Sequence, residues 1–168
     1  FVMGPINTRV VRRSAELLGD MYGSNFRYDE GILTRGGPTG FLGATGIGLA
    51  TGIAMATLAA PPTRKIIKRL IPKPGEGPSE QDQEQGFFEI ELKAKHPEDE
   101  GLDLRAIVKG DRDPGYGSTA KMIVESALAL AHDDIKKGGG FWTPASVIGD
   151  QLLQRLPLHA GVTFELVR

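Results

Sequence analysis

Hydrophobic and polar residues follow two different periods along this chain, and the change falls near Gly86. Before it the spacing is helical. Ile6, Val10, Val11, Ala15, Leu17, Leu18 and Met21 recur at near 3.6-residue intervals, with Arg9, Arg12, Arg13 and Glu16 on much of the other side. Pro5 suits a first helical turn, where its missing N–H has no partner to lose, and Gly19 and Gly23 bracket the helix end. Partial alternation of Phe26, Tyr28 and Ile32 predicts a strand within 25–33 before Gly36-Gly37-Pro38 breaks the chain. Residues 41–60 carry no charge and predict an apolar helix, about the ~20 residues that a bilayer-spanning helix needs. Only seven of them are large and apolar, and four are glycine, so a buried or membrane-surface helix is expected ahead of a true span. Residues 63–71 read as a short basic amphipathic helix, with Ile66, Ile67, Leu70 and Ile71 on one side, and residues 72–78 as a stiff Pro/Gly loop. Ser79 is placed to cap a short helix over 80–85, with Asp82 in the acidic role of a capping box.

After Gly86 the period becomes two. Phe88, Ile90, Leu92 and Ala94 alternate with Glu89, Glu91, Lys93 and Lys95, the pattern of a strand with one buried and one wet face. An acidic turn over 96–101 leads to Leu102, Leu104, Ala106 and Val108, again alternating, so the two strands are expected to form an antiparallel hairpin. A turn over 110–117 precedes an Ala/Leu-rich helix over 118–133. Thr143 and Pro144 open another helix, carrying Val147, Ile148, Leu152, Leu153 and Leu156, and a closing strand runs from Val162 to Val167. The expected class is α+β: a mostly antiparallel sheet of three or four strands packed with several helices.

The length of 168 residues suits one domain of ordinary size, and 40% hydrophobic residues can build a core. The chain has no cysteine, so disulfides, thiolate metal sites and a cysteine nucleophile are excluded. His96, His132 and His159 lack metal-ligand spacing, and no metal site is expected. Twenty basic against twenty-one acidic residues argue against a nucleic-acid partner. Arg64, Lys65, Lys68 and Arg69, following the apolar run, suit a membrane surface. The chain starts at Phe1 in mid-pattern and reads as a piece of a longer protein.

Gly46-Ile47-Gly48 with Gly52 imitates a dinucleotide-binding loop but fails its test. The spacing is GxGxxxG, no apolar strand stands immediately before it, and no acidic residue follows about 20 positions on. The richest stretch is 110–117, between a strand and a helix. There Tyr116 can donate a proton or a hydrogen bond, and Lys121 can hold an anionic group or act in acid–base chemistry, which makes these two the catalytic candidates. Asp113 and Gly115 in the same loop, with Asn7 and Arg9 on the first helix, are the substrate-binding candidates. The plainer alternatives are a turn capped by Asp113 or Ser118 and a solvated arginine face.

Several segments, taken in order, resemble the saccharopine-dehydrogenase-like oxidoreductases, a family that includes the mycobacterial trans-acting enoyl reductases. They are the run from Pro5 to Ser14 (PINTRVVRRS), the run from Lys73 to Ser79 (KPGEGPS), Gly86-Phe87-Phe88, the run from Asp113 to Met122 (DPGYGSTAKM), and the run from Gly139 to Ala145 (GGFWTPA). The resemblance implies an N-terminal Rossmann domain that binds NADP or NAD and would lie before Phe1. This chain is then the C-terminal, substrate-side α+β domain, which in the family often supplies a homodimer interface. It implies reduction of a double bond in a lipid or polyketide-type substrate, in the cytoplasm or at a membrane or lipid-droplet surface. It assigns no catalytic residue here, so the candidates rest on chemistry alone. The rival expectation is a non-catalytic, membrane- or lipid-droplet-associated interaction or dimerisation domain.

Overall fold

The computed structural model describes residues 3–60 and 75–167, and the chain divides after Gly77 into two compact units. The expected basic helix over 63–71 lies outside the described residues.

In the first unit, helix α1 (Gly4–Leu18) starts with Pro5 in its first turn. The Met3 carbonyl accepts the N–H groups of Ile6 and Asn7. The helix tightens into a single 3-10 turn over Gly19–Tyr22, and Gly19 adopts φ 59°, a backbone setting that L side chains rarely tolerate. The strand expected within 25–33 is absent: the segment is irregular and pairs with no other strand. Side chains hold it instead of a ladder. The Tyr22 and Phe26 rings meet edge to face at 4.7 Å. Asn7 Nδ2 and the Tyr28 hydroxyl both donate to the Glu30 carboxylate, at 3.0 and 2.9 Å. Local alternation cannot make a strand without a partner to bond its backbone.

Helix α2 (Gly37–Ala59) is the expected apolar helix, starting a few residues earlier with Pro38 in its first turn. Gly40 is its one buried residue, where a Cβ would collide with the Arg35 carbonyl. The rest of the helix touches little else in the described chain.

The second unit opens with helix α3 (Glu80–Gln85). The Ser79 side chain accepts the Asp82 N–H at 3.1 Å, and the Asp82 carboxylate accepts the Ser79 N–H, so Asp82 completes the capping box. Strands β1 (Phe88–Ala94), β2 (Leu104–Gly110) and β3 (Val162–Val167) form one antiparallel sheet in the order β1-β2-β3. Helices α4 (Gly117–His132) and α5 (Pro144–Arg155) lie between β2 and β3 in sequence. Helix α5 is kinked at Ile148 and runs into a wide π turn over Leu156–Ala160. The α+β class holds, with three strands.

Register puts Phe88, Gly110 and Val162 in one row across the sheet, with Ile90, Val108 and Phe164 in the next row on the same face. At the Phe88 end, Leu156, Ala160 and Val162 form the core, and Phe88, Val108, Met122 and Leu152 pack around it. Each fully buried aliphatic side chain there contributes about 1.5–3 kcal/mol. Ala129 on α4 and Ile148 on α5 are both buried, and Arg155 ties the two helices together. Its guanidinium grips Asp133 with two hydrogen bonds, at 2.6 and 2.8 Å, and Glu125 with one at 3.1 Å.

The alternation in β1 and β2 predicted one apolar face buried along its length. In the structure only one end is covered. Away from the helices the same face opens to solvent: Leu104 is 60% exposed and Leu166 74%. The helices reach only the first rows of the sheet. The opposite face is ion-paired, Glu91 to Arg105 and Lys93, and Lys109 to Glu89 at 3.3 Å.

Candidate functional site

The loop from Gly110 to Gly117 joins β2 to α4, and one side chain organises it. The Asp113 carboxylate accepts the N–H groups of Gly115 at 2.9 Å and of Tyr116 and Gly117 at 2.8 Å each. These are the orphan donors at the start of α4, which a carboxylate caps well. The Asp113 carbonyl also accepts the Ser118 N–H at 2.8 Å. The buried Ser118 hydroxyl donates to the Arg112 carbonyl at 3.0 Å. Helix α3 locks the loop from behind: the Asp113 N–H donates to the Gln83 carbonyl at 3.0 Å. A Cβ on Gly86 would stand 2.6 Å from the Asp113 backbone nitrogen and Cα, so only glycine permits this approach.

These bonds decide what Asp113 does. The N–H groups of Gly117, Tyr116 and Gly115 stabilise its charged form and hold its carboxyl below the ordinary aspartate value. It is an anion that shapes the loop through three backbone N–H groups. Gly115 likewise spends its N–H inside the loop. Both residues, expected to bind substrate, thus also hold the form of the loop. A group whose folded pKa is depressed stabilises the fold above its unfolded pKa, and that contribution drains away as pH falls through the folded value. The second unit should lose stability below about pH 4. Asp113→Asn should be less stable at neutral pH and show a shallower acid limb in melts recorded between neutral and strongly acidic buffer. A limb as steep as the parent's would place the titrating group elsewhere.

Tyr116 sits where α4 begins, 56% exposed, and its hydroxyl has no hydrogen-bond partner among the described residues. Lys121, almost one and a half turns on, has its ammonium 3.8 Å from Asp111, both partly exposed. Asp111 is itself positioned by its N–H, which donates to the Gly161 carbonyl at 3.2 Å. Tyr116, Asp113, Gly115 and Lys121 thus belong to one loop-and-helix corner of the second unit. Asn7 and Arg9 belong to the first unit. Asn7 is committed to Glu30. Arg9 is exposed on α1 with no ion-pair partner among the described residues.

Gly46, Gly48 and Gly52 lie inside α2, not at a strand-to-helix turn, so they cannot cradle a pyrophosphate. Among the described residues no group of histidine and carboxylate side chains is placed to hold a metal ion. Glu125, a carboxylate in the otherwise apolar α4, is paired with Arg155, a contact the sequence does not announce. Arg155 flanks an open cleft of about 430 Å³, lined also by Asp133, Asp150, Gln151, Leu158 and His159. The legible signal was a lone carboxylate in an apolar helix and an arginine in the last turn of the next.

Compared with known proteins, the chain is similar along its whole length to trans-acting enoyl reductases. It is 39% identical over 173 residues to a provisionally named one from Mycobacterium tuberculosis, covering all of this chain and 41% of that protein. It is 37% identical over 179 residues to the trans-acting enoyl reductase of Mycobacterium bovis and 38% identical to that of Mycobacterium ulcerans, covering all of this chain and 40% of each. The chain spans about two fifths of the length of the curated relatives it matches, in their C-terminal part. No protein-family model and no solved structure matches it.

Proposed function

We propose that this chain, homologous from end to end with trans-acting enoyl reductases, is the substrate-side part of an oxidoreductase. The enzyme reduces a carbon–carbon double bond of a lipid or polyketide-type acyl substrate with NADPH or NADH. The observation that carries the reading is the similarity along the whole chain at 37–39% identity. In such a reduction the nicotinamide supplies a hydride to one alkene carbon, and a proton completes the other. The placing of Gly46, Gly48 and Gly52 inside a helix, away from any strand-to-helix turn, supports a reading in which the cofactor is held by the share of the relatives' length that this sequence does not match.

What the chain itself contributes follows from its surface. The open end of the apolar sheet face, with Ile90, Leu92, Leu104 and Phe164, shields a greasy acyl chain from water. The Tyr116 hydroxyl, exposed and uncommitted, donates the proton or orients the acyl carbonyl. Lys121, leaning on Asp111, holds negative charge that develops on that oxygen. Asp113 keeps the loop rigid beneath both. On the first unit, taken by itself, the exposed Arg9 offers a guanidinium suited to a phosphate group.

In the whole enzyme, Tyr116→Phe should lower kcat/KM roughly a hundredfold without moving the melting curve, since the hydroxyl makes no internal hydrogen bond. Unchanged turnover would remove Tyr116 from the chemistry. Titrating the present chain with NADPH should show no tight stoichiometric binding by cofactor fluorescence. Tight binding would overturn the substrate-side assignment.

A further inference from the structure

We infer that Gly161 and Asp111 are positioning residues for Lys121: the bare backbone of Gly161 seats the Asp111 carboxylate, and that carboxylate holds the Lys121 ammonium in place at the corner that carries Tyr116. The inference rests on the reading that Lys121 meets the charge developing on the substrate oxygen. Gly161 stands between the wide turn over Leu156–Ala160 and the start of β3. Its N–H donates to the Leu156 carbonyl, and its own carbonyl accepts the Asp111 N–H at 3.2 Å. It adopts φ 68°, in the left-handed region that favours glycine. A Cβ built on that backbone would fall against both oxygens and the carboxyl carbon of Asp111. The carboxylate thus lies directly over the Gly161 backbone, in space that only glycine leaves open.

The residue before Asp111 is held as firmly. Gly110 pairs with Phe88 on one side and Val162 on the other, and the Phe88 ring covers it so closely that a Cβ would strike the ring. Asp111 therefore starts from a fixed backbone on a short side chain. Lys121 is the opposite, a point charge on a flexible four-carbon stem. Its ammonium stands 3.8 Å from the Asp111 carboxylate, its ion-pair partner among the described residues. Between two partly exposed groups such a pair adds little stability. What it supplies is direction. A fixed anion narrows where a mobile ammonium stands, and a charge that must meet a transition state acts only from the right place.

The test is a mutant cycle in the whole enzyme. Lys121→Met should lower kcat/KM roughly a hundredfold. Asp111→Asn keeps the shape and removes the charge, whereas Gly161→Ala keeps the charge and displaces it. Each should lower kcat roughly tenfold with KM little moved. Combined, they should lower it no further than the stronger of the two, and neither should act in the Lys121→Met background. A residue that served folding alone would multiply its effect with the others. Lysine ammonium NMR spectra of the present chain give a readout apart from turnover: the Lys121 signal should move in both Asp111→Asn and Gly161→Ala, with circular dichroism unchanged. Multiplying effects, or a Lys121 signal indifferent to Asp111→Asn, would overturn the inference even if Gly161→Ala failed to fold. So would parental turnover in Asp111→Asn beside a crippled Lys121→Met. Parental turnover in Lys121→Met itself would overturn the reading of the site, and the role inferred here with it.

Discussion

Replacing Val162 with aspartate is expected to unfold the sheet-bearing unit. The side chain is 2% exposed at the start of β3, in the cluster with Leu156 and Ala160 and beside Phe88 and Val108. The substitution removes about 1.5–3 kcal/mol of burial and puts a carboxylate where no partner exists, at a cost of several kcal/mol more. A domain of this size has a total stability of about 5–15 kcal/mol. Loss of the cooperative thermal transition, followed by circular dichroism, is the expected readout. Leu166→Asp is the counterpart on the same strand and the same face. At the open end it should change stability by no more than about 0.5 kcal/mol. If the two variants melt alike, the covered and open ends of the sheet have been misassigned.

The second large effect is expected from one methyl group. Gly86→Ala drives a Cβ into the Asp113 backbone and must push α3 and the following loop apart. Overpacking of this kind costs about 1–3 kcal/mol, a fall in melting temperature of roughly 10 °C for a unit this small. Because the same loop carries Tyr116, kcat/KM of the whole enzyme should fall at least tenfold, beyond what the lost stability explains at a temperature where the variant stays folded. A variant that melts and turns over like the parent would show that α3 does not brace the loop.

Much of the second unit was legible in the sequence because its signals are local. Ser79 with Asp82, Thr143 with Pro144, and the strand from Val162 to Val167 each state their element within a few residues, and the structure forms all three. The alternation from Phe88 to Ala94 likewise fixed the strand and its face. What alternation cannot say is how far a helix reaches across that face, so the open end was invisible. The segment around Phe26, Tyr28 and Ile32 misled for a related reason: a strand exists only with a partner, and its partners here are side chains on Glu30 and Tyr22. At the candidate site, the D-P-G-Y-G run announced a helix start. The contact that braces it, Gly86 against Asp113, joins residues 27 positions apart, and no pattern within either segment encodes it.

A sheet of three strands has a single inner member, β2, so β1 and β3 each present one side without ladder partners among the described residues. Free borders beside an apolar face invite indiscriminate strand addition. Glu89, Glu91 and Lys93 on β1, and Glu165 on β3, act as guards against it. A slip of one residue in either strand would turn these charges into the oily side and expel its aliphatic residues. The uncovered face can therefore stay apolar while the charges beneath it keep the register of the sheet from drifting.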